Sequence, residues 1–554
     1  MRLNTNLSSH AVLKTIGQRT SRFLLNAAVA TLGLSLSLGA VAQTASTTAA
    51  PVPTDAAKRG GTLTWIVTPE PAAFVPLTTT AGGSTDLGPK VVEGLFNFDV
   101  KLQPIPALAT AWQVTPDGLR YTFTLRKGVK WHDGKDFSAA DVVFSIETLK
   151  TVHPRGRVTF ANVRSIEAPD AHTVILLLDK PAPYLLTALD GAESPIIPKH
   201  LYEGKDIASN PLNNAPIGTG PFVFKEWVRG SYVKLERNPN YWDQPRPYLD
   251  AIVARFIPDA AARAAALESG EVQLGNKVIP LSDIERFKAL PKITVDITAW
   301  PYVGDHQQIY FNLDSEPFKR REVRLAVAQA LNLDVFAKTI WYGHGVPSAT
   351  PIGAASPFHN PAIKRYPYDV KAAEAALDAA GYKRGADGKR FAVRLLNNPF
   401  QDRRAADFVR QSLIRIGIDA ELQTLDFATY VTRVYTDRAF DITLENLTNV
   451  FDPTIGVQRV FWSKNFKVGL PFSNAPHYVS ADADRLLEAA AGEADAARRR
   501  ALFFEFQEVI HRDIPSIELG ANPNVTIAAR NLHDWGVNAG GVRANLARAY
   551  FSKP

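Results

Sequence analysis

Residues 391–425 constrain the fold more than any other stretch. An apolar β-forming run at 391–396 meets a polar loop at 397–402. A helical repeat follows, with Ala405, Phe408, Val409, Leu413 and Ile416 on one face, and Gly417 stops it before a second β-forming run at 418–425. Two strands joined through a helix pair in parallel, with a right-handed crossover. Neighbouring segments extend the pattern. Asp369 is placed to cap a helix carrying Val370, Ala373, Leu377 and Ala380, which Gly381 ends. Residues 441–444 offer another strand, and 496–512 a long helix closed by Pro515.

Strand signals also lie far from this unit, at 63–67, 91–99, 121–125, 173–178, 232–236 and 252–257. Asp117-Gly118 reads as a hairpin turn, Ser138 as the cap of a helix over 139–149, and 260–269 as a helix, while Asn- and Pro-rich 210–220 marks a boundary. A chain of 554 residues exceeds what one hydrophobic core supports. These features predict an α/β protein of two or three domains, one of them discontinuous.

The first 42 residues read as a secretory signal. Arg2, Lys14, Arg19 and Arg22 precede an apolar stretch over 23–40, and Ala40-Val41-Ala42 is the small-x-small pattern for cleavage after Ala42. Residues 43–58 read as a flexible leader. Removing the signal lowers the formal charge from +7 to about +3, which gives no argument for nucleic-acid binding. The expected location is the periplasm. With no cysteine in the chain, disulfides, thiolate metal sites, a catalytic thiol and a lipid-anchored cysteine are excluded.

No nucleophile elbow, zincin motif, Walker loop or dinucleotide fingerprint is present, and no histidine lies three or four residues from another. No cofactor, metal site or catalytic residue is expected, although His306, His344 and His477 remain available to a site assembled across the fold. The Arg403-Arg404 pair and the Arg498–Arg500 run read as solvated helix positions. In open parallel sheets, ligands sit beyond the carboxyl ends of strands. Two amide-rich segments occupy such ends: Asn397-Asn398, and a loop over 445–451 with Glu445, Asn446, Leu447 and Asn449. Trp300-Pro301-Tyr302 is placed to line a cleft at a crossing between domains.

Ordered blocks along 59–554 resemble the large extracytoplasmic solute-binding proteins of peptide and nickel ABC importers, family 5. Among them are Arg59-Gly60-Gly61-Thr62-Leu63, Trp131-His132-Asp133-Gly134, Gly218-Thr219-Gly220-Pro221-Phe222, Arg237-Asn238-Pro239-Asn240-Tyr241-Trp242 and Asp513-Ile514-Pro515. The resemblance implies a bilobal periplasmic-binding-protein-like fold. Domain I would comprise 59–90, 203–300 and 515–554, domain II an insertion at 91–202, and domain III 301–514, with ligand enclosed between I and III. It also implies a monomeric solute receptor that catalyses nothing and presents its closed form to an ABC permease with a cytoplasmic ATPase. A periplasmic chaperone or sensory receptor, and a secreted hydrolase, are the alternatives.

By the same resemblance, Asn446 and Leu447 would face the cleft. Phe74, Val75, Trp300 and Tyr302 would add apolar contacts, and the hinge would lie at Ala299, Pro301, Pro515 and Ser516. Peptide-binding members carry an aspartate four residues before the proline matching Pro453, to pair with the peptide's ammonium. This chain has Asn449 there. Either Asp452 or Glu445 supplies the charge, or the ligand is neutral, anionic or N-blocked, with non-peptide solutes slightly favoured.

Overall fold

The computed structural model describes residues 58–297, 302 and 304–552. Its strand–helix–strand unit forms as the periodicity requires. Phe391–Asn397 and Ile418–Thr424 pair in parallel, Phe391 opposite Ile418 and Asn397 opposite Thr424. The helix Arg403–Arg415 joins them and buries Ala405, Val409 and Leu413. Asp402 caps it by accepting the Arg404 N–H at 2.9 Å. On the other side of Phe391–Asn397 lies Ile442–Thr448, again parallel, followed by Asp305–Phe311 and Ser516–Ala521, both antiparallel to their neighbour, in one five-stranded sheet.

Side-chain alternation divides this sheet's core into two layers. Ile309, Val327, Leu395, Leu413 and Leu444 fill one face, and Tyr310, Leu396, Leu447, Phe461 and Phe506 the other. Each such side chain contributes about 1.5–3 kcal/mol when fully buried.

A seven-stranded sheet gathers Ile293–Asp296, Thr526–Ala529, Leu274–Asn276, Thr62–Ile66, Ala251–Arg255, Tyr232–Arg237 and Phe222–Val228, in that spatial order. Its strands come from both ends of the described chain. A four-stranded antiparallel sheet is formed by Ala109–Val114, Arg120–Leu125, Thr173–Leu178 and Val163–Asp170. One hydrophobic cluster runs from Leu63 and Trp65 through Phe96 and Phe123 to Leu176. It also takes in Val450, Phe451 and Ile455 from beyond the end of Ile442–Thr448, so this part of the chain seats against the other two sheets.

Three expectations are corrected. Residues 91–95 are not strand; only Phe96–Phe98 is. At Gly94 the backbone presses on the chain at Leu189–Gly191 so closely that a Cβ would lie 2.4–2.6 Å from backbone atoms, a contact that leaves no room for a ladder partner. The supposed loop from Glu445 is strand as far as Thr448, with Glu445 opposite Gln308 and Thr448 opposite Asp305. Its polar side chains imitate a loop because they face other polar groups: Tyr430, Tyr435 and Asn398 around Glu445, and Gln307 opposite Asn446. Finally, Ser516 is not at a crossing. The helix Ala496–Asp513 ends at left-handed Ile514, and Ser516–Ala521 pairs within the five-stranded sheet. The chain reaches the seven-stranded sheet only at Thr526. The other crossing lies between Asp296 and Asp305. There Ala299, Trp300 and Pro301 fall outside the described residues, as do the signal segment and nearly all of the leader.

Candidate functional site

The carboxyl ends of the parallel strands Phe391–Asn397 and Ile442–Thr448 bring amide side chains together. Gln307 lies opposite Asn446, and Asn397 opposite Leu444. Gln307 Nε2 donates to Gln401 Oε1 at 2.9 Å. Four buried amide atoms here, Gln307 Oε1, Asn397 Oδ1, Asn446 Oδ1 and Gln401 Nε2, have no hydrogen-bond partner among the described residues. Leaving a buried polar atom unsatisfied costs about 1–3 kcal/mol. Four at one strand end make a surface suited to a solute with hydroxyl or amide groups, which both donate and accept.

The opposite face of the same strand holds Glu445. Its Oε1 accepts from Tyr430 Oη at 2.6 Å and Tyr435 Oη at 3.1 Å. Its Oε2 accepts from Asn398 Nδ2 at 2.8 Å and the Asn446 N–H at 3.3 Å. Burial pushes this carboxyl above the usual range against the pull of those donors. Four donors saturate it, so Glu445 fixes Asn398 and the two tyrosines and has no lone pair to spare for a ligand ammonium.

Asn449 and the other candidate carboxylate, Asp452, are also engaged. Asn449 Oδ1 accepts the Gly353 N–H at 2.6 Å while its Nδ2 donates to the Pro351 carbonyl at 3.0 Å. Asp452 receives two bonds of 2.7 Å from Arg499 and caps Pro453–Gly456 through the Thr454 N–H at 2.9 Å. Leu447, expected at the cleft, is completely buried in the core with Tyr310 and Leu396. Phe74 and Val75 are likewise core. Their N–H groups bond the Asn213 carbonyl, and the Phe74 ring packs edge-on against Phe224 and Trp227. Tyr302 does stand between parts of the chain: its hydroxyl donates to the Val100 carbonyl at 3.1 Å, and its ring meets Phe451 at 6.5 Å.

His306 is buried with Nδ1 at 3.9 Å from Glu518, whereas His344 approaches Glu285 and His477 pairs with Asp314. The three histidines do not converge. Among the described residues no group of His, Cys, Asp or Glu is arranged to hold a metal ion. Sequence reasoning missed Gln307 and Gln401. For Gln307 the available signal was the polar His306-Gln307-Gln308 run heading an otherwise apolar strand. It also missed Phe98, Asp190, Phe451 and Arg543, which line a cavity where Phe451 meets the rest of the molecule. Nothing local in the sequence marks Asp190 or Arg543.

The model for the middle region of bacterial extracellular solute-binding proteins, family 5, matches residues 103–467. The chain belongs to that family. The oligopeptide-binding protein AppA of Bacillus subtilis is 30% identical, the match covering 83% of this chain and 86% of AppA. Among solved structures, the periplasmic binding protein DppA of Helicobacter pylori, in complex with the peptide STSA, superposes with a TM-score of 0.80. It is 29% identical, with 90% of this chain and 99% of DppA covered. AgaA from A. tumefacien R10, in complex with agropinic acid, gives a TM-score of 0.76 at 26% identity, covering 89% of this chain and 99% of AgaA. The fold of this family 5 protein is therefore the α/β, two-lobed one of periplasmic binding proteins. Family members are extracytoplasmic solute-binding proteins of ABC transporters.

Proposed function

We propose that this family 5 protein captures a small polar solute outside the cytoplasm, closes around it by hinge bending, and presents the closed form to an ABC permease. The observation that carries this reading is the set of unpartnered amide atoms on Gln307, Asn397, Gln401 and Asn446, buried at the carboxyl ends of two parallel strands. Closure stabilised by a ligand requires contacts better made in the closed state, and these amides supply them. The hinge of the proposal is the pair of chain crossings near 297–304 and 522–525. The domain assignment follows the sheets, except that 516–521 goes with domain III.

The ligand differs from that of a receptor reading a free peptide amine at position 449. Asn449 is tied to Pro351 and Gly353, Asp452 to Arg499, and Glu445 to four donors. Neither Asp452 nor Glu445 is left to meet an ammonium at that position, which favours non-peptide solutes or peptides held in another way.

The test is thermal unfolding of residues 43–554, first freed of carried-over ligand by unfolding and refolding. Di- to octapeptides, their N-acetyl forms, opine-like compounds, oligosaccharides and nickel chelates are then added. A ligand at a hundred times its dissociation constant adds about 2.7 kcal/mol of stability. At least one class is expected to raise the midpoint; no shift from any class would count against the receptor reading.

A further inference from the structure

Among the described residues, Phe400, Phe427 and Phe472 are the only exposed phenylalanines, and they are neighbours. Phe400 is 63% exposed. Its ring centroid lies 4.7 Å from that of Phe427, which in turn lies 6.3 Å from that of Phe472, with the last two planes only 22° apart. Phe472 packs on Tyr435 at 5.7 Å. Apolar side chains exposed singly need no explanation, but a contiguous row of three rings does.

The place of the row in the fold supplies one. Phe400 comes three residues after the strand Phe391–Asn397, and Phe427 three residues after Ile418–Thr424. Both rings therefore stand beyond the carboxyl ends of adjacent parallel strands, where open sheets bind their ligands. The turn from Asn397 to Gln401 carries the Phe400 ring together with two of the buried amides that have an unpartnered atom. Asn398 fixes that turn, its Oδ1 accepting the Phe400 N–H at 3.0 Å and its carbonyl the Gln401 N–H at 2.8 Å. At the other end of the row Phe472 holds a left-handed backbone, φ 58°, which a bulky side chain keeps only where its surroundings enforce it. Arg459 Nη1 donates to the Phe472 carbonyl at 3.4 Å, and the Tyr435 hydroxyl beneath the ring is tied to Glu445 at 3.1 Å. Tyr435 itself sits in the π-helical turn Thr432–Thr436, a distortion frequent at functional sites. The carboxylates beside the row are engaged: Asp402 with Arg404, Asp426 with Thr429 at the start of its helix, and Glu445 with its four donors. What the surface offers is aromatic faces next to amides that donate and accept without charge. A sugar ring matches both, since its C–H face is apolar and its rim of hydroxyls donates and accepts.

We propose that Phe400, Phe427 and Phe472 form a stacking subsite for a short neutral oligosaccharide, its ring faces lying along the row and its hydroxyls bonded by the amide surface that begins at Gln401. The proposal rests on the receptor reading above and deepens it by naming the class of solute. It also accounts for a neutral residue at position 449, since a neutral sugar brings no ammonium to be met there.

The test is calorimetric titration of residues 43–554 with α- and β-linked di- to hexasaccharides of neutral sugars. Sorbitol, which has the hydroxyls without a ring face, and peptides with and without phenylalanine are the contrasts. At least one oligosaccharide is expected to bind wild type, and sorbitol is not. Phe400→Ala and Phe400→Leu are each expected to weaken that binding about 10-fold, whereas Phe400→Trp, which keeps a flat face, is expected to stay within about 2-fold of wild type. Because Phe400 is exposed, the unfolding midpoints of its variants are expected to match wild type, which separates lost stacking from lost structure. The assignment is overturned if Phe400→Leu, or the double variant Phe400→Ala/Phe427→Ala, binds the oligosaccharide as tightly as wild type. It is also overturned if only peptides or other charged solutes bind, an outcome that leaves the receptor reading standing. If no solute of any class binds wild type, the receptor reading fails and the assignment falls with it.

Discussion

Asn449 and Gly353 hold each other across the top of the five-stranded sheet: the Asn449 Oδ1 accepts the Gly353 N–H at 2.6 Å, and a Cβ on Gly353 would lie 3.2 Å from that same oxygen. The other half of the amide donates to the Pro351 carbonyl. An amide fits because it must donate on one side and accept on the other. Asn449→Asp turns the donor into an acceptor facing a carbonyl oxygen. The expected outcome is a loss of about 1–3 kcal/mol in denaturant unfolding, with no gain in affinity for free-amine peptides. Unchanged stability together with new peptide binding would show that the 351–353 loop releases the side chain easily.

The Asp452–Arg499 pair is buried, its side chains 4% and 6% exposed, and doubly hydrogen-bonded at 2.7 Å. Removing one partner strands the other charge in a low-dielectric site. Arg499→Met is expected to cost about 3–5 kcal/mol, with part recovered in the double variant Asp452→Asn/Arg499→Met. A loss in the double variant equal to the sum of the Arg499→Met and Asp452→Asn losses, read from chemical unfolding, would show that the two side chains are not coupled.

The unpartnered amides predict a conflict between stability and binding. Gln307→Leu removes a buried oxygen with no partner while filling similar space, but it also removes the donor to Gln401 Oε1. The two effects oppose, so unliganded stability is expected to change by less than about 1 kcal/mol, and affinity for whichever solute stabilises wild type to fall about 10-fold. Unfolding and titration on the same variant separate the two effects. A loss of stability with affinity intact would assign Gln307 to the scaffold.

Lys90 gives a pH signature. It is wholly buried, its ammonium donates to the Asp86 and Val542 carbonyls and lies 4.8 Å from the Trp65 ring centroid, and burial pulls its pKa down to about 7. Between about 7 and the ordinary lysine value of 10.5 the unfolded chain keeps a proton that the folded chain releases. Stability from this group therefore rises with pH across that window. Lys90→Met is expected to flatten that slope relative to wild type in unfolding curves taken at successive pH values; parallel curves would mean that Lys90 stays charged when folded.

The strand–helix–strand unit, the helix capped at Asp369 and the helix Ala260–Ser269 were legible in the sequence, because periodicity and caps act over a few residues. The ordered family blocks also carried the family and its two-lobed fold. The amide-rich strand ends were legible too, since their polarity interrupts apolar runs. Only the tertiary structure decided what those residues do. Register put Gln307 opposite Asn446, carried Glu445 into a strand and gave it four donors, and consumed Asn449 and Asp452 in contacts with chain 47 to 98 residues away. Packing sent Leu447, Phe74 and Val75 to the core, because an apolar side chain looks the same in sequence whether it faces a cleft or a neighbour. It also set Asp190 and Arg543 around one cavity, a meeting of distant residues that no local pattern encodes.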